Sequence, residues 1–389
     1  MAESTMSQIR VGVVGGGSIA KAHVLAVRAL RSYFGDDGRY PEVVAIADAL
    51  PEAAEQAASA YGVERWTSDW TELTEDSSID MITIAVPNDQ HETIAVAAAK
   101  AGKHVLSEKP LAHSVESGKR MLQAVREADV VHSVNLNYRS IPAIRYAKQL
   151  IEDGAIGNIV GIRGTFLQDW GLDPLIPRSW KFEKARAGGG PLLSLGCHLV
   201  DLTQFLVEDI SEVVASAHSQ ITERPLPSGR DTYAAQGDNA DMGPVDIEDS
   251  GQFLFQTVSG INGVLELSRI HSGRQNYCTI EVSGTKGGIA FDYERLNELQ
   301  VATTSGLGGG FTRVIVGPAQ DGGLVWTLGG LGVGFAETII VHMRELMKAV
   351  YSGTQASPNF LDGLKAQAVI ETALSSAASG QWETVASVG

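Results

Sequence analysis

Two cysteines in 389 residues, Cys197 and Cys278, are too few to frame a disulfide scaffold or a cysteine-rich zinc site, and they suit a reducing compartment. Positive charge is also short: 30 Lys and Arg face 46 Asp and Glu, a formal net charge of -16. A surface of that sign repels nucleic-acid phosphates and anionic membranes, so neither is an expected partner. No apolar run approaches the ~20 residues needed to cross a bilayer. The early apolar stretch Val11 to Val14 is short, is flanked by one arginine and leads into glycines, unlike an export signal, so a cytoplasmic location is expected. His91, His113 and His218 lack metal-ligand spacing, and no metal is expected. Internal repeats and low-complexity tails are missing too. What remains, 44% hydrophobic and 20% charged, is enough for a full core and long enough for two domains.

Over roughly the first 130 residues, short apolar runs alternate with helical patterns, the mark of βαβ units and a parallel sheet. The expected strands are Ile9 to Val14, Val43 to Ala47, Met81 to Ala85, His104 to Ser107 and Val130 to Val134, with alanine-rich helices such as Ala53 to Tyr61 and Thr93 to Ala101 between them. After Asn135 the texture changes. A helix at Ile141 to Glu152 precedes period-2 segments at Ile159 to Gln168, Gly251 to Thr257, Gly263 to Ile270, Asn276 to Ser283 and Glu298 to Thr303. The expected fold is an α/β Rossmann domain over residues 1–135, followed by an α+β domain with a large, mostly antiparallel sheet over residues 136–389. Two polar, glycine-rich stretches, Glu223 to Val245 and Ser305 to Gly310, are candidate lids or subunit-contact arms.

The first expected strand runs into Gly15-Gly16-Gly17-Ser18-Ile19-Ala20 and then a helix. Gly15 permits the tight turn, Gly17 lets a pyrophosphate approach the backbone, and small Ala20 allows close helix packing, with Ser18 and Ile19 opening a helix whose N-terminus faces the phosphates. Position at the first strand-to-helix turn makes this a dinucleotide-binding signature. The second strand ends at Asp48, a carboxylate suited to the ribose hydroxyls; a surface aspartate in a turn would look the same. No arginine follows Asp48 to welcome a 2′-phosphate, which favours NAD over NADP.

Two further elements carry chemistry. Glu108-Lys109-Pro110 closes an apolar strand, and a lysine at the carboxyl end of a parallel strand lies where open α/β sheets bind ligands, although an exposed loop lysine would read alike. Gly188-Gly189-Gly190 leads into an apolar helical pattern that spaces Ser194, His198 and Asp201 at i, i+4 and i+7, on one expected helix face. An imidazole, with a reference pKa of ~6.5, can take and return a hydroxyl proton; a histidine in an apolar helix can equally be a satisfied core residue. Cys197 diverges from His198 by about 100° around such a helix, so it reads as a buried structural thiol.

Together with Pro87-Asn88 and His91, Asn137-Tyr138-Arg139, and Phe360-x-Asp362-Gly363, these pieces span the chain and resemble the Gfo/Idh/MocA family of nicotinamide-dependent sugar and cyclitol oxidoreductases. Gln168-Asp169-Trp170, Arg178-Ser179-Trp180, Asn276-Tyr277 and Asn297 to Val301 are most similar to its anhydrosugar and inositol dehydrogenases. The resemblance implies NAD as cofactor, contacted by Gly15, Gly17, Ser18, Ile19, Asp48, Pro87, Asn88, His91, Glu108, Lys109, Asn137 and Trp180. It implies a sugar or cyclitol held by Lys109, Tyr138, Arg139, Gln168, Ser194 and His198, with Lys109 and His198 catalytic. It also implies a cis-proline at Pro110 and assembly into dimers or tetramers through the second domain's sheet. For Tyr138, Arg139 and Gln168, hydrogen bonding at a domain interface is the competing reading, and for Trp170 and Trp180 it is core packing.

The implied reaction is oxidation of a secondary hydroxyl of a pyranose, anhydrosugar or cyclitol to the ketone. Alternatives are an aldose dehydrogenase, a ketosugar reductase, or a nucleotide-bound sugar sensor without turnover. Where the family carries an aspartate four residues before the histidine, this chain has Ser194. A hydroxyl cannot balance a protonated imidazole or a lysine. Three consequences are open: altered substrate choice, the carboxylate role passing to Asp201, or weakened catalysis.

Overall fold

The computed structural model describes residues 8–35, 40–227, 240–303, 309–321 and 324–389. Its described residues divide into two compact units, one within 1–112, 116–140 and 333–363, the other within 113–115, 141–332 and 364–389.

In the first unit, strands β1 (Arg10–Val14), β2 (Glu42–Ala47), β3 (Arg65–Thr67), β4 (Met81–Ile84), β5 (His104–Ser107) and β6 (His132–Val134) form a parallel sheet in the order β3-β2-β1-β4-β5-β6. Parallel strands covered on both faces need apolar side chains throughout, which is why Met81–Ile84 is buried at every position. Strand order reverses between β1 and β4, and the carboxyl ends on either side of that reversal are where open sheets take ligands. Gly15 follows β1, Asp48 follows β2, Pro87-Asn88 lies just beyond β4, Lys109 beyond β5 and Asn137 beyond β6. Strand β3 carries no legible signal, because it is three residues long and Arg65 and Trp66 are exposed.

The helix Phe335–Ser352 belongs to this unit, which corrects the expected division into 1–135 and 136–389. Its apolar face, including Ile339, Met343, Leu346 and Val350, shares one core with Val24, Val27 and Leu30 of helix Ser18–Phe34. Its period shows an apolar face, but period alone cannot say which sheet that face covers.

In the second unit, nine strands are ordered β16-β15-β14-β13-β7-β12-β11-β8-β17. They are β7 (Ile159–Leu167), β8 (Ile210–His218), β11 (Ser250–Thr257), β12 (Asn262–Ser268), β13 (Tyr277–Gly284), β14 (Gly287–Asp292), β15 (Glu298–Thr303), β16 (Thr312–Ile315) and β17 (Glu383–Thr384). The pairs are antiparallel except β7 with β12, so the sheet is mixed and mostly antiparallel as expected. Strand β11 alternates buried Gly251, Phe253 and Phe255 with exposed Gln252 and Leu254, the pattern of a sheet with one covered face. Helix Gly196–Leu206 lies against β7 at Gly164, where a Cβ would come 3.2 Å from Leu199. A short ribbon pairs β9 (Glu223–Pro225) with β10 (Met242–Pro244). Of the expected arms, residues 228–239 and 305–308 lie outside the described residues. Among the described residues no helix is long and apolar enough to cross a membrane.

Candidate active site

Gly15 has φ +113, and a Cβ there would meet the Ala85 carbonyl oxygen at 2.2 Å, so the turn out of β1 admits no side chain. Gly17 differs: a Cβ on it would meet no protein atom within 4 Å. The space over Gly17 is therefore open, and helix Ser18–Phe34 begins beneath it with no side-chain cap and no acid in its first turn. Uncapped N–H groups, the positive end of a long helix and exposed Ser18 and Ile19 suit a pyrophosphate. Ala20 is 1% exposed, as close packing requires. The Asp48 carboxylate accepts from the Gly16 amide at 2.9 Å and from the Leu50 amide at 3.0 Å. It thus braces the turn.

At the end of β5, the Lys109–Pro110 peptide is cis. Glu108 points inward rather than toward a ligand: its Oε1 accepts from His23 Nε2 at 2.8 Å and from Asn135 Nδ2 at 2.6 Å, and its Oε2 accepts from the Lys109 amide at 3.1 Å. Burial opposes its ionisation, but the His23 bond and charge, the Lys109 ammonium and the Asn135 amide outweigh it and hold the carboxyl below its usual range. Lys109 itself is only partly covered.

Other first-unit candidates are used inside the protein. His91 is fully buried, with Nδ1 3.2 Å from the Leu111 carbonyl and Nε2 3.0 Å from the Val86 carbonyl. Burial lowers its pKa, and a neutral ring has a single N–H, so it donates to one of these two carbonyls and lies against the other. The ring named for cofactor contact therefore faces the protein's own carbonyls. Asn137 is buried and gives its amide to Thr338 Oγ1 at 2.7 Å. Arg139 pairs with Asp362 at 3.1 Å and reaches Ser357 Oγ at 3.3 Å, which explains the Phe360-x-Asp362-Gly363 motif as an anchor for that guanidinium. Pro87 and Asn88 form the start of the short turn Asn88–Gln90, and Tyr138 is 5% exposed.

In the second unit, Gly188-Gly189-Gly190 is dictated by packing: a Cβ at Gly188 would lie 2.1 Å from the His113 carbonyl oxygen, and one at Gly190 would lie 2.0 Å from that of Glu248. The expected single helix face is corrected. A short helix Pro191–Ser194 stops, and a new one starts at Gly196, with the His198 amide bonding the Leu195 carbonyl. Ser194 therefore closes one helix, while His198 and Asp201 lie on the next, both buried. His198 sits against Phe166, ring centroids 6.2 Å apart. Gln168 accepts from Trp170 Nε1 at 2.8 Å and donates to Asn276 at 2.7 Å, a chain that fixes the Trp170 indole. Trp180 opens the turn Trp180–Phe182, with Lys181 Nζ 5.9 Å over its ring. Both cysteines are buried and free, and burial with the Asp292 charge raises the Cys278 thiol. Among the described residues no group of His, Cys, Asp or Glu is arranged to hold a metal ion.

Residues 9–136 match the model of an oxidoreductase family with an NAD-binding Rossmann fold, and residues 144–290 match the GFO/IDH/MocA C-terminal domain. The chain belongs to the Gfo/Idh/MocA family. It is 42% identical over 385 residues to levoglucosan dehydrogenase of Pseudarthrobacter phenanthrenivorans, covering 98% of this chain and 99% of the relative. It is 29% identical to inositol 2-dehydrogenase of Rhizobium meliloti, covering 95% and 97%. A solved levoglucosan dehydrogenase in complex with NADH and L-sorbose superposes with a TM-score of 0.93 at 41% identity, covering 98% of this chain and 100% of that one.

The family assignment makes the chain an NAD-binding oxidoreductase, in keeping with the open cradle at Gly17. Sequence reasoning missed His23, Asn135 and Thr338, which support Glu108 and Asn137 from behind. Only His23 left a trace: a polar residue three positions after Ala20, on the apolar face of a helix that otherwise buries Val24 and Val27.

Proposed function

We propose that this Gfo/Idh/MocA enzyme oxidises a secondary hydroxyl of a pyranose, anhydrosugar or cyclitol to the ketone, with levoglucosan-like anhydrosugars and inositols as the first substrates to test. The observation that carries the reading is Lys109 at the carboxyl end of β5, in the same sheet as a glycine turn open to a dinucleotide. Bound NAD supplies the hydride acceptor. The Lys109 ammonium hydrogen-bonds the carbinol oxygen and stabilises negative charge developing there. The His198 imidazole accepts the hydroxyl proton and returns it in the reverse direction. Gly15, Gly17, Ser18 and Ile19 hold the pyrophosphate, Asp48 the ribose, and Pro87, Asn88 and Trp180 the nicotinamide end. Tyr138, Gln168 and Ser194 contact the sugar. For Arg139 the Asp362 pair supports an anchoring role instead.

A cytoplasmic enzyme fits two free cysteines. Assembly into a dimer or tetramer through the nine-stranded sheet is supported by Leu254, 52% exposed on the uncovered face of β11. Incubation with NAD and a panel of sugars and inositols, followed as NADH absorbance, tests the activity. Turnover of a pyranose or cyclitol supports it; silence in both directions across the panel favours a nucleotide-bound sensor.

A further inference from the structure

We propose that His23 is a positioning residue for Lys109, acting through the Glu108 carboxylate to tie the dinucleotide-binding helix to the backbone of the lysine. The inference rests on the role given to Lys109 above. Helix Ser18–Phe34 buries Ala20, Val24, Ala26, Val27 and Leu30, and an apolar residue at position 23 would complete that face without desolvation cost. A fully buried imidazole stands there instead, and its Nδ1 finds no hydrogen-bond partner among the described residues. Optimising the fold alone gives no reason to keep that cost.

What the imidazole achieves is convergence. Donors from three separate elements meet on one carboxylate: His23 Nε2 from the helix and Asn135 Nδ2 from the end of β6 on Oε1, and the Lys109 amide on Oε2. The helix that carries His23 is the one whose first turn receives the pyrophosphate. Its position and that of the lysine backbone are thus linked by two hydrogen bonds through a single side chain. The other charged or titratable groups facing Glu108 are the Lys109 ammonium, His91 from helix His91–Lys100 and His342 from helix Phe335–Ser352, with Arg139 facing His342 in turn. Burial pushes Glu108 toward the neutral acid, and the His23 bond is the largest influence opposing it. Without His23 the carboxyl protonates at higher pH, an oxygen is taken by its own proton, and the acceptor for the Lys109 amide weakens.

Three variants test this: His23→Met, which keeps bulk without a donor; His23→Gln, which keeps an N–H; and Asn135→Ser, which removes the second donor to the same oxygen. In His23→Met, kcat falls about 10- to 100-fold, as expected for a misplaced catalytic group. NADH affinity stays near the wild type, and the acid limb of the kcat profile moves to higher pH. Asn135→Ser moves the limb the same way, and His23→Gln restores it. A crystal structure of His23→Met shows the Lys109 amide released from Glu108. An unmoved limb in both donor-removing variants overturns the proposal, as does loss of kcat and NADH binding in parallel. If His23→Met does not fold, the limb in Asn135→Ser and its return in His23→Gln decide. If the wild type turns over no sugar or cyclitol, the function proposed above fails by itself, and the Glu108 to Lys109 geometry in the variant structures still decides the role of His23.

Discussion

The Nε2 of His23 stands 2.8 Å from the Oε1 of Glu108, with both side chains shielded from solvent although they are 85 residues apart in sequence. The pair makes the carboxylate next to Lys109 a fixed internal anion. On the function proposed above, the lysine would meet substrate from a held backbone, beside a negative charge that stays in place.

Lys109→Met leaves the glycine turn untouched and removes the donor proposed for the carbinol oxygen. By analogy with deletion of one oxyanion donor, kcat/KM falls about 100- to 1,000-fold. NADH binding, followed by fluorescence titration, remains within a few-fold of the wild type. Loss of NADH affinity equal to the loss of rate would show that the lysine serves the cofactor instead.

Gly15 and Gly17 separate stability from binding. Gly15→Ala forces a Cβ to 2.2 Å from the Ala85 carbonyl at a positive φ, and it lowers both Tm and NADH affinity. Strain of that kind costs roughly 1–3 kcal/mol. Gly17→Ala meets no protein atom within 4 Å, so Tm is unchanged while NADH affinity drops. Calorimetry with and without NADH reads both.

Ser194 ends a short helix just ahead of His198, at a position where the sequence resemblance leads one to expect an acid. Ser194→Asp changes the relative kcat/KM values among anhydrosugars, pyranoses and inositols. A uniform gain on every substrate would sink the idea that the serine sets specificity and point to weakened chemistry.

Acid should loosen the fold through two buried histidines. His132 and His342 are both lowered from 6.5 to about 4, chiefly by burial. A folded value below the unfolded one means that their contribution is complete above about pH 6.5 and is lost as the pH falls toward 4, on the order of 3 kcal/mol for each. His342 Nε2 lies 3.0 Å from Ser133 Oγ, whose hydroxyl donates to the Pro358 carbonyl at 2.6 Å, so the imidazole is the donor. His342→Gln keeps a donor and cannot titrate. Urea unfolding at pH 7.5 and pH 5 gives a smaller difference for this variant than for the wild type; equal differences refute the assignment.

Arg269 and Asp249 form a buried pair at 2.8 Å, with side chains 3% and 0% exposed. Arg269→Met strands the carboxylate and costs about 3–5 kcal/mol. The double variant with Asp249→Asn recovers part of that loss in the same denaturation experiment.

The glycine turn, the parallel strands and the lysine at the end of β5 were legible in the chain because each is a local requirement. A positive φ with no room for a Cβ demands glycine, and a strand covered on both faces demands an unbroken apolar run. Alternation likewise announced β7 and β11 to β13. What the chain could not show are choices of partner across distance. Helix Phe335–Ser352 reads as amphipathic in isolation, and only packing on Val24 and Val27 assigns it to the first unit. Arg139 reads as a pocket residue until Asp362, 223 residues on, claims its guanidinium. His23 reads as a stray polar residue until Glu108 lies against it. A hydrogen bond between residues so far apart leaves no periodicity in either segment, and the energy that selects it exists only once the chain has excluded water from both groups.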